Sequence, residues 1–131
     1  MSSQKEIELI LARQLASDLV MPIFIVDLQG NLIYYNEPAE GILGRHFEET
    51  GEMPVEVWST LFKPTDATGK PLAPESLPLV IALTQHHPAH HDMWIEGLDG
   101  IRRLIEVTAF PINGQAERYL GALAIFWEVK A

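Results

Sequence analysis

The chain has no cysteine, few basic residues and no long apolar run, and each absence excludes a class of protein. Without cysteine there can be no disulfide, thiolate metal ligand, thiol nucleophile or flavin–cysteinyl adduct. The 9 lysines and arginines against 18 acidic residues give a formal net charge of −9, which disfavours contact with nucleic acid phosphates. No apolar segment approaches the length of a membrane-spanning helix, and the N-terminus lacks a signal-peptide core. We therefore expect a cytoplasmic protein that binds neither nucleic acid nor membrane.

Sequence motifs of common enzymes are also missing. The chain contains no phosphate-binding loop, no G-x-G-x-x-G, no G-x-S-x-G and no H-E-x-x-H. Its serines and acidic residues have no partners at a spacing that indicates a catalytic pair. The sequence therefore predicts no catalytic residues and no enzymatic activity.

The segment from Met21 to Gly44 is the most informative part of the chain. Two runs rich in β-branched and aromatic residues, IFIV and LIYY, flank the sequence DLQGN, which predicts a β-hairpin. Asn36 then suits the N-cap of a short helix, and Gly44 suits its C-terminal cap. The remaining chain predicts short helices in its middle and three strands in its last third. Strands grouped at both ends indicate one α+β domain, an antiparallel sheet with helices on one face.

This order of segments resembles a PAS domain over about residues 20–129. The resemblance is carried by NEPAEGILG at 36–44, GKPL at 69–72, LPL at 77–79 and the Asp99-Gly100 turn. It implies a five-stranded antiparallel sheet in the order 2-1-5-4-3, and a role in sensing or protein interaction. It also implies dimerisation through an N-terminal helix and the outer sheet face, with a histidine kinase or a regulator as a further signalling partner.

The end of the chain departs from the family pattern. Many members end in Asp-Ile/Val-Thr, whereas this chain has Glu128-Val129-Lys130 and stops at Ala131. The sequence fits both a free-standing domain and a piece of a longer protein.

Four histidines lie close together, and imidazole is a ligand for zinc, nickel and haem iron. Pro88 interrupts the helix that would align them, so a polar loop between a helix and a strand is the favoured interpretation. A haem- or metal-binding sensor is the alternative. Its candidate ligands are His86, His87, His90 and His91.

Apolar residues on the inward face of the sheet and helices form either a packed core or the wall of a ligand cavity. A cavity would suit a small organic molecule better than a charged cofactor, and no bound cofactor is predicted. The candidate wall residues are Trp58, Leu83, Trp94, Ile105, Val107 and Phe126.

The first and last strands are apolar on both faces, so both faces of the sheet must be covered. The middle helices can cover only one face. The N-terminal helix predicted at 4–19 can cover the other, in its own chain or in a second copy. We expect residues 1–20 to form this cap and residues 21–131 to form the PAS domain of a homodimer. A purely structural dimerisation module without ligand is the remaining alternative. The predicted interface residues are Ile7, Leu11, Leu15, Leu123, Ile125 and Trp127.

Overall fold

The computed structural model describes residues 7–114, 116 and 118–129, which contain five strands and five α-helices. The strands are β1 (Ile23–Asp27), β2 (Leu32–Tyr35), β3 (Ala89–Glu96), β4 (Arg102–Asn113) and β5 (Tyr119–Glu128). The helices are α1 (Ile7–Asp18), α2 (Glu37–Leu43), α3 (Phe47–Thr50), α4 (Val55–Leu61) and α5 (Pro78–Gln85), with a 3₁₀ turn at Pro74–Ser76. The strands form one antiparallel sheet in the order β2-β1-β5-β4-β3, so the predicted fold class and strand order are confirmed.

The β1–β2 hairpin is closed by the Asp27 carboxylate. Its Oδ1 accepts hydrogen bonds from the backbone N–H of Gln29 at 3.1 Å and of Asn31 at 2.9 Å. Gly30 takes a φ of 89°, which an L side chain rarely adopts. The predicted turn is therefore formed, and its geometry depends on the aspartate and the glycine together.

Asn36 caps α2 as predicted, and it does more than cap. Its Oδ1 accepts hydrogen bonds from the backbone N–H of Ala39 at 3.2 Å and of Ile23 at 3.0 Å. Its Nδ2 donates to the carbonyl oxygens of Ala16 and Met21, both at 2.8 Å. The side chain is fully buried, so this one amide joins the end of α1, the start of β1 and the start of α2.

Two apolar clusters lie on opposite faces of the sheet, as the two-sided apolar strands predicted. The inner core fills the space between the sheet and helices α2, α4 and α5. The outer core lies beneath α1. Its buried members are Leu9, Ala16, Ile23, Ile25, Ile33 and Leu120.

Helix α1 does not pack most of its large apolar side chains against the sheet. Small side chains, Ala12 and Ala16, pack there together with Leu9. Ile10, Leu11 and Leu15 face solvent with 50%, 57% and 61% of their surface exposed. Small residues let the helix backbone approach the sheet closely, and the bond from Asn36 to the Ala16 carbonyl fixes the rotation of the helix.

The predicted start of that helix and its cap lie outside the described residues, which begin at residue 7. The side chain of Ile7 lies outside them as well. The observed helix α1 therefore agrees with the predicted helix from residue 7 onward.

Strand β5 approaches β1 so closely that only glycine fits at position 121. A Cβ at Gly121 would lie 2.2 Å from the carbonyl oxygen of Val26, and the atom it would meet belongs to the backbone. The two strands pair from Ile23–Ile125 to Asp27–Gly121, so this contact lies at one end of the central ladder. Within the described residues, no helix is both long and apolar enough to cross a membrane.

Candidate functional site

A cavity of about 90 Å³ lies between the inner face of the sheet and the helices. Its surface is entirely apolar, and it is partly open to solvent. Strands β1, β3, β4 and β5 supply one wall, and the end of α2, α4, α5 and the chain between α4 and α5 supply the other. The lining residues are Phe24, Leu43, Trp58, Ser59, Phe62, Pro64, Leu77, Pro78, Leu79, Met93, Ile95, Ile105, Val107, Ala124 and Phe126.

Four of the six predicted wall residues line this cavity: Trp58, Ile105, Val107 and Phe126. Leu83 and Trp94 do not line it, so the prediction is wrong for these two residues.

Trp94 lies on the opposite face of the sheet, because side chains alternate along a strand and its neighbours Met93 and Ile95 point inward. The guanidinium of Arg102 lies 5.4 Å from the Trp94 ring centroid on that outer face. The alternation of side chains along β3 predicts that Met93 and Ile95, and not Trp94, line the cavity.

Leu83 packs instead over the β1–β2 turn, where its Cδ2 and the Cβ of Val55 are the nearest atoms to the position of a Cβ on Gly30. Trp58 is fixed beside the same turn, since its Nε1 donates a hydrogen bond of 2.8 Å to the Gly30 carbonyl oxygen. The Trp58 indole N–H is therefore already satisfied and presents an apolar ring to the cavity.

A row of aromatic rings runs from the cavity wall around the β2 edge of the sheet. Phe24 contacts Trp58 with ring centroids 5.4 Å apart and stacks on Tyr35 at 6.0 Å. Phe47 then contacts both Tyr35 and Tyr34, at 5.3 Å and 5.5 Å. Cavity and outer face are thereby joined by side chains in contact.

Arg13 of α1 ends this row on the outer face. Its guanidinium carbon lies 4.7 Å from the Tyr34 ring centroid and 5.8 Å from that of Phe47. Burial raises the pKa of the Tyr34 phenol above its ordinary value, and the positive charge of Arg13 partly opposes that rise. The sequence analysis did not identify this contact, because a single arginine between the apolar positions of a helix carries no signal for an aromatic partner.

The four clustered histidines point to different places. His86 stacks on Tyr119 with ring centroids 3.8 Å apart, and His87 contacts the Gln85 side chain at 3.1 Å. His90 lies on the outer face of the sheet, and His91 lies beside Asp92.

Strand β3 begins at Ala89, so the predicted loop is wrong for His90 and His91, which belong to the strand. Their side chains therefore leave opposite faces of the sheet. In the part of the chain that the structure describes, no group of three or more potential ligands is placed to hold a metal ion.

The outer face beyond α1 remains open over β4 and β5. Trp127 is 37% exposed there, and Leu123 and Ile125 are half-buried beside it. His90 adds polar groups at its border, where its Nδ1 lies 2.7 Å from Thr108 Oγ1 and its Nε2 lies 3.3 Å from Glu106 Oε1. The predicted interface residues of β5 thus lie together on one accessible surface.

Solved structures identify the architecture, although no protein-family model and no curated protein matches the chain. The chain matches the PAS domain of a protein from Colwellia psychrerythraea over 92% of its own length and 96% of that chain, with 21% identity and a TM-score of 0.64. It matches the PAS domain of nitrogen regulation protein NR(II) from Vibrio parahaemolyticus over 91% and 98%, with 21% identity and a TM-score of 0.63. The chain has the PAS fold.

A LOV protein from Rhodobacter sphaeroides is similar over 95% of this chain and 69% of its own, with 12% identity and a TM-score of 0.74. The resemblance to PAS domains drawn from the sequence is therefore confirmed at the level of the fold. In this PAS fold the cavity and α1 lie on opposite faces of one sheet.

Proposed function

We propose that the chain is a non-catalytic, cytoplasmic sensory and interaction module that forms a homodimer and takes a small organic ligand in its cavity. The observation that carries the proposal is the exposed stripe of α1, formed by Ile10, Leu11 and Leu15. Each of these side chains exposes half or more of its surface on a helix already docked by its other face.

The stripe and Trp127 both lie on the outer side of the sheet, and both are exposed. Large exposed apolar patches on small proteins mark interaction sites. A second copy of the chain offers the same surface, so a two-fold arrangement would bury both stripes and both tryptophans at once. The proposed interface residues are Leu11, Leu15, Leu123, Ile125 and Trp127, together with Ile7, which was predicted from the sequence and whose side chain lies outside the described residues.

The signalling step would couple this interface to the cavity. A ligand shifts an equilibrium only if it binds one arrangement more tightly than another. Phe24 both lines the cavity and begins the aromatic row that ends at Arg13 of α1, so filling the cavity can bias how α1 is held. Similar folds occur in a nitrogen regulation protein and a two-component sensor histidine kinase, which supports a kinase or regulator as the downstream partner.

The small volume of the cavity favours a second candidate, a structural dimerisation module that holds no ligand. At about 90 Å³ the space is well below the roughly 300–1,000 Å³ that is typical of ligand pockets. The two candidates share the dimer and differ in whether the cavity fills.

Sedimentation velocity at tens of micromolar protein tests the dimer, using Leu15→Glu against Ile101→Glu. Both side chains are exposed, 61% and 52%, but Ile101 follows the turn between β3 and β4. We expect dimers for the wild type and for Ile101→Glu, and monomers for Leu15→Glu. A monomeric wild type, or dimers that persist in Leu15→Glu, would overturn the proposed interface.

A further inference from the structure

We propose that the cavity selects a compact apolar molecule that has no hydrogen-bonding group and is no larger than a benzene ring. This inference deepens the proposed function and rests on it. It follows from the chemistry of the wall and from the volume, which are independent observations.

The wall offers nothing with which a polar ligand could pair. None of its lining residues carries a charge, and Trp58 and Ser59 alone have side-chain N–H or O–H groups. The Trp58 N–H already donates to Gly30, and the Ser59 hydroxyl contributes no polar surface to the cavity. A ligand hydroxyl or carboxylate that is enclosed against this wall would therefore lose its hydration without compensation.

The volume limits the size of the ligand. A dry engineered cavity of roughly 150 Å³ accepts benzene or xenon, and a liquid water molecule occupies roughly 30 Å³. The cavity of about 90 Å³ lies between these values, so a xenon atom or a short hydrocarbon can be enclosed directly. Benzene fits after a small adjustment, for which Met93 is suited, because its unbranched thioether side chain can change rotamer at little cost. Fused-ring cofactors such as flavin, and haem, would require the helices to move apart.

Methionine-methyl NMR provides a direct readout of the cavity. Among the described methionines, Met21, Met53 and Met93, the cavity is lined by Met93 alone. With ¹³C-methyl methionine labelling, xenon and benzene should shift the Met93 signal saturably and leave the Met21 and Met53 signals unchanged. Phenol has benzene's ring plus one hydroxyl, and we expect it to bind at least about tenfold more weakly.

Two alanines on β5 supply a matched pair of variants. Ala124 lines the cavity and is 3% exposed, whereas Ala122 is fully buried, belongs to the same core and does not line it. Ala124→Val should fill the space and abolish saturable binding of benzene, and Ala122→Val should retain it. If the tightly packed Ala122 variant does not fold, Val107→Ala replaces it, and its enlarged cavity should bind benzene at least as tightly as the wild type does.

The outcomes separate the two levels of the proposal. Phenol binding as tightly as benzene would overturn the inferred ligand class while leaving the cavity as a binding site. Failure of xenon, benzene and phenol alike to shift Met93 would overturn both this inference and the ligand-binding part of the proposed function. The proposed dimer would still be tested separately by sedimentation velocity.

Discussion

Replacing Asn36 by aspartate should release α1 from the sheet while leaving the cap of α2 in place. The two side chains have the same shape, so the aspartate can still accept hydrogen bonds from the N–H of Ile23 and Ala39. The donor Nδ2 is replaced by a carboxylate oxygen. In the wild type, the carbonyl oxygens of Ala16 and Met21 each lie 2.8 Å from Nδ2, so the new oxygen would repel both of them.

The expected loss in the free energy of unfolding follows from these contacts. Two hydrogen bonds disappear at about 1 kcal/mol each. In addition, the carboxylate oxygen that replaces Nδ2 is fully buried and faces two carbonyl oxygens with no donor between them. The sum is about 3–5 kcal/mol, a large part of the roughly 5–15 kcal/mol available to a domain.

The loss in the Asn36→Asp variant should depend on pH. Burial beside carbonyl oxygens raises the pKa of the new carboxyl in the folded state above its unfolded value near 4. The folded state then binds more protons, so the variant regains stability as pH falls through the raised pKa towards the unfolded one.

Urea unfolding at pH 7 and pH 5, with hydrogen exchange of the α1 amides, measures both effects. The exposed Asn113→Asp variant is the control and should change stability by less than about 0.5 kcal/mol. An Asn36→Asp protein that loses less than about 1 kcal/mol, or keeps its α1 amides protected, would refute the reasoning.

Four further substitutions test other parts of the fold. Gly121→Ala should cost more than about 3 kcal/mol by urea unfolding because its Cβ meets backbone, whereas Gly41→Ala, with open space around it, should stabilise α2 by about 0.5–1 kcal/mol. The Glu40 carboxylate raises the pKa of His46 above 6.5, so this pair stabilises the fold below that value and the contribution is lost as pH rises through the raised pKa. An NMR titration should show the His46 midpoint falling in Glu40→Gln. Arg13→Gln should cost about 0.5–2 kcal/mol, and the pKa of the tyrosine beneath it should rise further in an absorbance titration.

Local patterns predicted the elements that local chemistry determines. The β1–β2 hairpin and the Asn36 cap follow from turn residues and from strand and helix periodicity, whereas the strand order is implied by the resemblance to PAS domains; all three are confirmed. These features depend on residues close in sequence, or on a pattern repeated through whole strands.

The orientation of α1 could not be predicted in this way. By hydrophobicity alone, the stripe that contains Leu11 and Leu15 would be expected to face the sheet. Instead, Leu9 and Ala16 face the sheet and the stripe is exposed. The choice depends on close approach and on a hydrogen bond from Asn36 to a carbonyl 20 residues earlier in the chain. Neither depends on the hydrophobicity of the helix alone.

The cavity wall was predicted in part for a related reason. Trp94 is predicted to line the cavity, but alternation along β3 places it on the other face of the sheet. The requirement for glycine at position 121 was also invisible, because it arises from the backbone of β1 and not from any neighbour in sequence.

The hydrogen bond between Asn36 and α1 limits where a shortened form of this domain can begin. A fragment beginning at Met21 would match the predicted boundary of the PAS domain, but it would lack the Ala16 carbonyl that one Asn36 N–H bonds. It would also uncover Ile23, Ile25 and Ile33, which are now at most 2% exposed. An expression fragment that starts after α1 should therefore aggregate or fold poorly, and the smallest soluble unit includes the helix.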